Sequence, residues 1–173
     1  GYESQMSTVQ AISQASEADM KKLNALAKEM GETTQFTAEQ AGQGLEYMAM
    51  AGWDSQQMLD GIEGILNLAA ASGEDLGTTS DIVTDALTAF GLKASDAAHF
   101  SDVLAQSAAS ANTNVSMMGE SFKYVAPIAG AMKYSVEDTS LALGLMANAS
   151  VKGSMAGTSL KTALANMAAP TDK

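Results

Sequence analysis

The sequence predicts an all-α protein, and three observations carry that reading. Apolar residues recur at three- and four-residue steps along most of the 173 positions, the spacing of one helical face. Side chains able to cap free amides open these runs, and glycines close them. The alternating β-branched pattern of strands is nearly absent, and only two prolines, Pro127 and Pro170, interrupt the chain. The apolar set is rich in Ala and Met, with 12 methionines and 5% aromatics. Small side chains let helix axes approach closely and Met fills irregular gaps, so this composition suits packed helices.

The elements follow in chain order. Met6, Val9, Ile12, Met20, Leu23, Leu26 and Met30 mark one long amphipathic helix over about 4–30, stopped by Gly31. Thr37-x-x-Gln40 has capping-box spacing and opens a helix over 37–51. Asp54 caps the next, over 55–72, and Ser72-x-x-Asp75, an acidic variant of the box, opens 75–90. Ser95 caps a helix over 95–111. The helix over 116–132 contains Pro127, whose missing N–H predicts a kink that either opens a groove or bends the helix around the core. Ser135-x-x-Asp138 opens 136–149, and a last helix covers 154–168. Gly52, Gly73 and Gly91 are the remaining stops. The expected architecture is a bundle or short array of helical hairpins, about eight helices. A single domain spans 1–173, with the long first helix followed by hairpins over about 36–169.

Three connectors share a pattern: AMAGWDSQQML, TAFGLKASDAA and GAMKYSVEDTS. Each ends a helix on small residues, places one large apolar residue (Trp53, Leu92, Tyr134), then gives a polar helix start. From 53 to 92 is 39 positions and from 92 to 134 is 42, the length of one helical hairpin. Two origins fit that spacing: an array of duplicated hairpins, or short helices that merely reuse the same turn chemistry.

Charge bounds the partners. Nine lysines and no arginine face 20 acids, a net charge of −11, and no basic residue lies between Lys28 and Lys93. Such a surface repels phosphate backbones, so no specific nucleic-acid binding is expected. Without cysteine there is no disulfide framework and no thiolate metal site. The longest uncharged run, Val103 to Gly119, is interrupted by Ser, Asn, Thr and Gln, so no membrane span is expected. The chain opens on Gly1 rather than Met and reads as a fragment of a longer protein.

The search for chemistry returns no catalytic, cofactor-binding or metal-binding residue. His99 is the one histidine, and one imidazole without a nucleophile or orienting group makes neither a base nor a zinc site. Asp81 and Asp85 share a helix face near Glu74 and Asp75 but lack an oxygen-rich loop, so they read as a solvated face. Gly42-Gln43-Gly44 lacks the third glycine and the preceding strand of a dinucleotide fingerprint. Gly153-Ser154-Met155-Ala156-Gly157-Thr158 lacks the lysine of a P-loop, and its small residues suit close helix packing better. Trp53 is expected to fold back over the core from a turn, and Tyr124 and Tyr134 pose the same choice between core and partner contact.

Two stretches have an unusual shared character: LNLAAASGEDLGTTSDIVTDALTAFGL from Leu66 to Leu92, and KYVAPIAGAMKYSVEDTSLALGLMANASVKGSMAGTSLKTAL from Lys123 to Leu164. With EADMKKLNALAKEMGETTQFTAEQA (Glu17–Ala41) and LEYMAMAGWD (Leu45–Asp54), they resemble the core region of phage tail tape measure proteins over roughly Ser16 to Pro170. The resemblance implies a structural, non-enzymatic component of a phage or prophage tail, with no cofactor and no carried-over catalytic residue. It further implies synthesis in the bacterial host cytoplasm, a place in the tail tube lumen, a role in setting tail length, and ejection ahead of DNA. The partners it implies are the tail tube protein, tail assembly chaperones and tail tip or baseplate proteins, with possible self-association and membrane contact only during ejection. The alternative is a membrane-active or channel-forming segment, suggested by small-residue runs around Ala126–Met132 and Leu141–Ala149.

Overall fold

The computed structural model describes residues 1–169, among which are nine α-helices, one 3-10 turn and no strand. Pro170, and with it the end of the resemblance, lies outside the described residues. The helices are α1 (Tyr2–Ser13), α2 (Glu17–Thr33), α3 (Ala38–Met50), α4 (Ser55–Ser72), α5 (Leu76–Phe90), α6 (Ala97–Ser110), α7 (Val115–Ala131), α8 (Val136–Asn148) and α9 (Gly153–Ala168).

The long first helix expected over 4–30 is two helices. Gln14 takes a left-handed conformation, φ 54°, and ends α1. The Ser13 hydroxyl donates to the Val9 carbonyl and accepts from the Ala15 N–H, drawing the last turn away from helical bonding. Ser16 then caps α2, accepting from the Asp19 N–H. Gly31 does not stop the run either; it lies inside α2, which ends on Thr33.

Caps explain most other boundaries. Thr37 with Gln40, and Asp54 with Gln57, form reciprocal capping boxes, and Ser135 accepts from the Asp138 N–H. Two expected caps belong elsewhere. Ser72 is the last residue of α4, with its hydroxyl donating to the Leu68 carbonyl, and Asp75 alone caps α5. Ser95 lies inside the 3-10 turn Ala94–Asp96, whose entry is held by the Asp96 carboxylate accepting from the Lys93 N–H. Pro127 stays within a continuous α7 on its exposed side.

The three similar connectors are one turn repeated. Trp53 N–H donates to Met48 O, Leu92 to Leu87 O and Tyr134 to Ala129 O, five residues back in each case. The residue before each donates three back: Gly52 to Ala49 O, Gly91 to Thr88 O and Lys133 to Gly130 O. This is the Schellman ending, in which a left-handed residue reverses the chain and the next, apolar residue closes over the helix end. Ser150 and Val151 repeat it at the end of α8. Glycine fills the left-handed position twice; Lys133 (φ 64°) and Ser150 (φ 69°) fill it at a steric cost.

The helices stack in two layers. Odd-numbered helices pack side by side, α1 on α3, α3 on α5, α5 on α7 and α7 on α9, while α2, α4, α6 and α8 form the second layer. Successive odd helices from α3 begin at Ala38, Leu76, Val115 and Gly153, steps of 38, 39 and 38 residues. Each hairpin contributes one helix per layer, the arrangement of stacked helical repeats. One continuous core runs between the layers, centred on Phe100, Phe122, Leu66, Ile65, Leu87 and Leu104. Phe122 meets both Phe90 and Phe100 edge-on, with centroids 5.7 and 5.5 Å away, tying α5, α6 and α7 together.

Candidate contact surface

The residues weighed for chemistry are placed apart and mostly in solvent. His99 is exposed on α6, and its Nε2 meets the Glu137 carboxylate of α8, a link between neighbours in the stack. Hydrogen bonding to its own backbone amide, then to His99, holds the Glu137 carboxyl below the usual range. Asp81 and Asp85 occupy one exposed face of α5. Partial burial, then the charge of Asp85, raises the Asp81 carboxyl. Among the described residues no group of three or more His, Cys, Asp or Glu is placed to hold a metal ion.

The glycine-rich pieces serve packing. Gly42 and Gly44 are buried within α3. Gly157 lets α9 lie against the backbone of α7, where a Cβ would stand 2.3 Å from the Ser121 carbonyl oxygen. Trp53 folds back over the core, with its ring against Gly61 of α4. Tyr134 is half-buried against the core at its turn, and Tyr124 is the more exposed of the two.

What the surface does present is a set of exposed apolar side chains on its last two helices. Leu141 and Leu145 on α8 are 63% and 62% exposed, and Met155 and Met167 on α9 are 56% and 65% exposed. A groove of about 360 Å³ runs between α6 and α8, walled by Val103, Ala111, Gly144, Leu141 and Leu145. No acidic residue occurs between Asp138 and Asp172, whereas the segment from Glu29 to Asp85 carries acids and no lysine. The chain is therefore polarised, acidic through its first half and with its three most exposed large apolar side chains, Leu141, Leu145 and Met167, on α8 and α9. That acid-free run beside Leu141 and Leu145 is the sequence signal that marks them. Among the described residues no helix is long and apolar enough to cross a membrane. The small residues of 126–132 and 141–149 instead line helix contacts, with Ala126, Ala129, Gly144 and Ala147 buried.

A family model described as phage-related minor tail protein matches residues 24–173. The chain belongs to the phage-related minor tail protein family. The match covers α3 to α9 and most of α2, so the stacked hairpins are the family's region of this chain. The tape measure protein of Pneumococcus phage Dp-1 is 43% identical over 170 residues, 98% of this chain and 15% of the relative. The probable tape measure protein of Escherichia phage P2 is 29% identical over 156 residues, 90% of this chain and 19% of the relative. The chain thus spans under a fifth of the length of these relatives. No solved structure matches it.

Proposed function

We propose that this chain is a structural module of a tape measure protein, acting through protein contacts to set tail length and support assembly of the tail tube. The observation that carries the reading is its similarity, over 98% of its length, to a phage tape measure protein. A stack of hairpins in which, among the described residues, no group of three or more His, Cys, Asp or Glu is placed to hold a metal ion supports a structural rather than an enzymatic role. The protein is made in the host cytoplasm and incorporated in the tail tube lumen, against the tube protein, assembly chaperones and tip or baseplate proteins. It leaves ahead of the DNA. Cell-wall zymography of the purified chain is expected to stay blank.

The stack sets a physical choice for a ruler. Packed helices lie about 8–10 Å apart, so one hairpin adds about 10 Å along a stack. The same 39 or so residues drawn into a single helix span about 60 Å. Nearest-neighbour stacking lets hairpins open one at a time, which suits a chain that must be remodelled on entering or leaving a narrow tube. The test is an in-frame deletion of Trp53 to Gly91, one hairpin, in the parent phage, with tails measured by electron microscopy. Tails shorter by about 60 Å are expected if the hairpins open in the tube, and by about 10 Å if the stack persists. Tails of unchanged length would overturn the length-setting role and leave an assembly module.

A further inference from the structure

Three helices of the even layer carry one surface in a common register, and on the last of them its chemistry changes. Ile62 of α4, Ser101 of α6 and Ser140 of α8 are buried, as are Ile65, Leu104 and Leu143, and each step is 39 residues. That register makes Glu63, Asp102 and Leu141 one position of the repeat, and Asn67, Gln106 and Leu145 another, one turn later. All six are exposed. A face that is polar on α4 and α6 is one the fold leaves to water. Asp102 and Gln106 line a recess between the end of α4 and α6. One hairpin later, Leu141 and Leu145 take their place in the wall of the groove between α6 and α8. Packing of the stack does not call for leucine at these two positions, so the apolar pair is free for a contact outside it.

The groove itself says what fits. Val103, Ala111 and Gly144 stand beside the leucines, and Glu137 is its one charged lining residue. Glu137 and Asp138 lie one turn before Leu141, and the next charge along the chain is Lys152. His99 meets Glu137, and Lys133 lines the neighbouring recess with Asp96. Among the described residues no cation pairs with Asp138. A groove between two helices accepts a third through an apolar stripe at three- and four-residue spacing. Acids at one end only call for a cation at one end of that helix, and a cation is best placed at a helix C-terminus. We propose that the α6–α8 groove docks an amphipathic helix of another tail protein, uncharged along its length, basic at its C-terminal end and antiparallel to α8. A second copy fits less well. None of the described helices of this chain has a basic residue in its last turn, and a net charge of −11 opposes self-association. The proposal rests on the reading of the chain as a phage tail component.

The test is photo-crosslinking in cells producing the parent phage, with p-benzoylphenylalanine placed at position 110, an exposed serine of the groove wall, or at position 56 on α4 as the control. Adducts are mapped to peptides by mass spectrometry. Position 110 is expected to yield about tenfold more adduct than position 56, on a segment of a different protein with the stated apolar spacing and a Lys- or Arg-bearing end. Leu141→Asp with Leu145→Gln, the residues found one hairpin earlier, is expected to cut that yield about tenfold, the scale of losing central apolar anchors. The purified double variant is expected to keep its melting temperature, which separates a lost contact from a lost fold. Asp138→Lys is expected to lower the yield several-fold. Adduct no greater than the control, or undiminished in the double variant, would overturn the proposal. So would adducts on peptides of this same protein, from a second copy or another part of its chain, or on a segment without the basic end. Adduct yield is read without reference to tail length, so a failure here leaves the deletion test of the ruler standing.

Discussion

Gly157 shows at the scale of one residue how closely this stack is built. The missing side chain lets the α9 backbone reach the Ser121 carbonyl, and the added methyl of Gly157→Ala would overlap that oxygen. Alanine gains about 1 kcal/mol of helix propensity over glycine. Overpacking against backbone costs more, about 1–3 kcal/mol and upward, because α9 must move as a unit. The expected net result is a melting temperature lowered by several degrees, about 2–4 °C per kcal/mol for a domain of this size. A circular-dichroism melt that is unchanged or raised would show that the contact yields. The sequence made the packing role of this glycine-rich piece legible, because the lysine of a phosphate loop was absent. It also showed Trp53 folding over the core. What hid at this scale was which of two nearby polar residues caps a helix. Ser72 and Ser95 have the right chemistry, yet the Ser72 hydroxyl donates to the Leu68 carbonyl while Asp75 caps α5, and Ser95 lies inside the 3-10 turn that Asp96 holds through the Lys93 N–H, so that α6 opens without a side-chain cap.

At the scale of the element, helix ends are governed by side chains that compete for a few amides. Seven of the helical runs expected from periodicity lie within two residues of those observed, because caps and apolar spacing are local signals. The break at Gln14 was legible in principle: Met20 follows Ile12 by eight positions, and Ser16-x-x-Asp19 opens a helix between them. Asp75 gives a titratable example. The Thr78 backbone N–H, then the Thr78 hydroxyl, hydrogen-bond its carboxylate and lower its pKa. A group whose folded pKa is depressed contributes stability above its unfolded value and loses it as pH falls through the folded one. Asp75→Asn keeps the capping oxygen without the titration. Wild type is therefore expected to lose more stability than the variant between pH 7 and about pH 3, as the carboxylate protonates below its usual range. Parallel losses in thermal melts at the two pH values would refute a contribution from the ionised cap.

Across the whole molecule, stability adds up hairpin by hairpin while charge acts over all of them. Acids crowd the segment from Glu29 to Asp85 without a lysine, so repulsion opposes the compact state. Raising salt from about 10 mM to about 0.3 M shortens the screening length from about 30 Å to well under 10 Å and should raise the melting temperature. A melting temperature that falls or stays level would mean the acids are too dispersed to matter. The hairpin period was visible in Trp53, Leu92 and Tyr134, but the two layers were not. Periodicity reports which face of a helix is buried, while the neighbour that buries it lies some 38 residues away. Val151 hid the fourth turn because it follows Tyr134 by only 17 residues. Those shared turns carry a genetic consequence. Recombination between the coding segments of two of them, such as one joining Gly52 to Leu92, removes or duplicates a hairpin and regenerates the same helix ending. A lineage can then change the length of this protein in whole units, in single events, without passing through an unfolded ancestor.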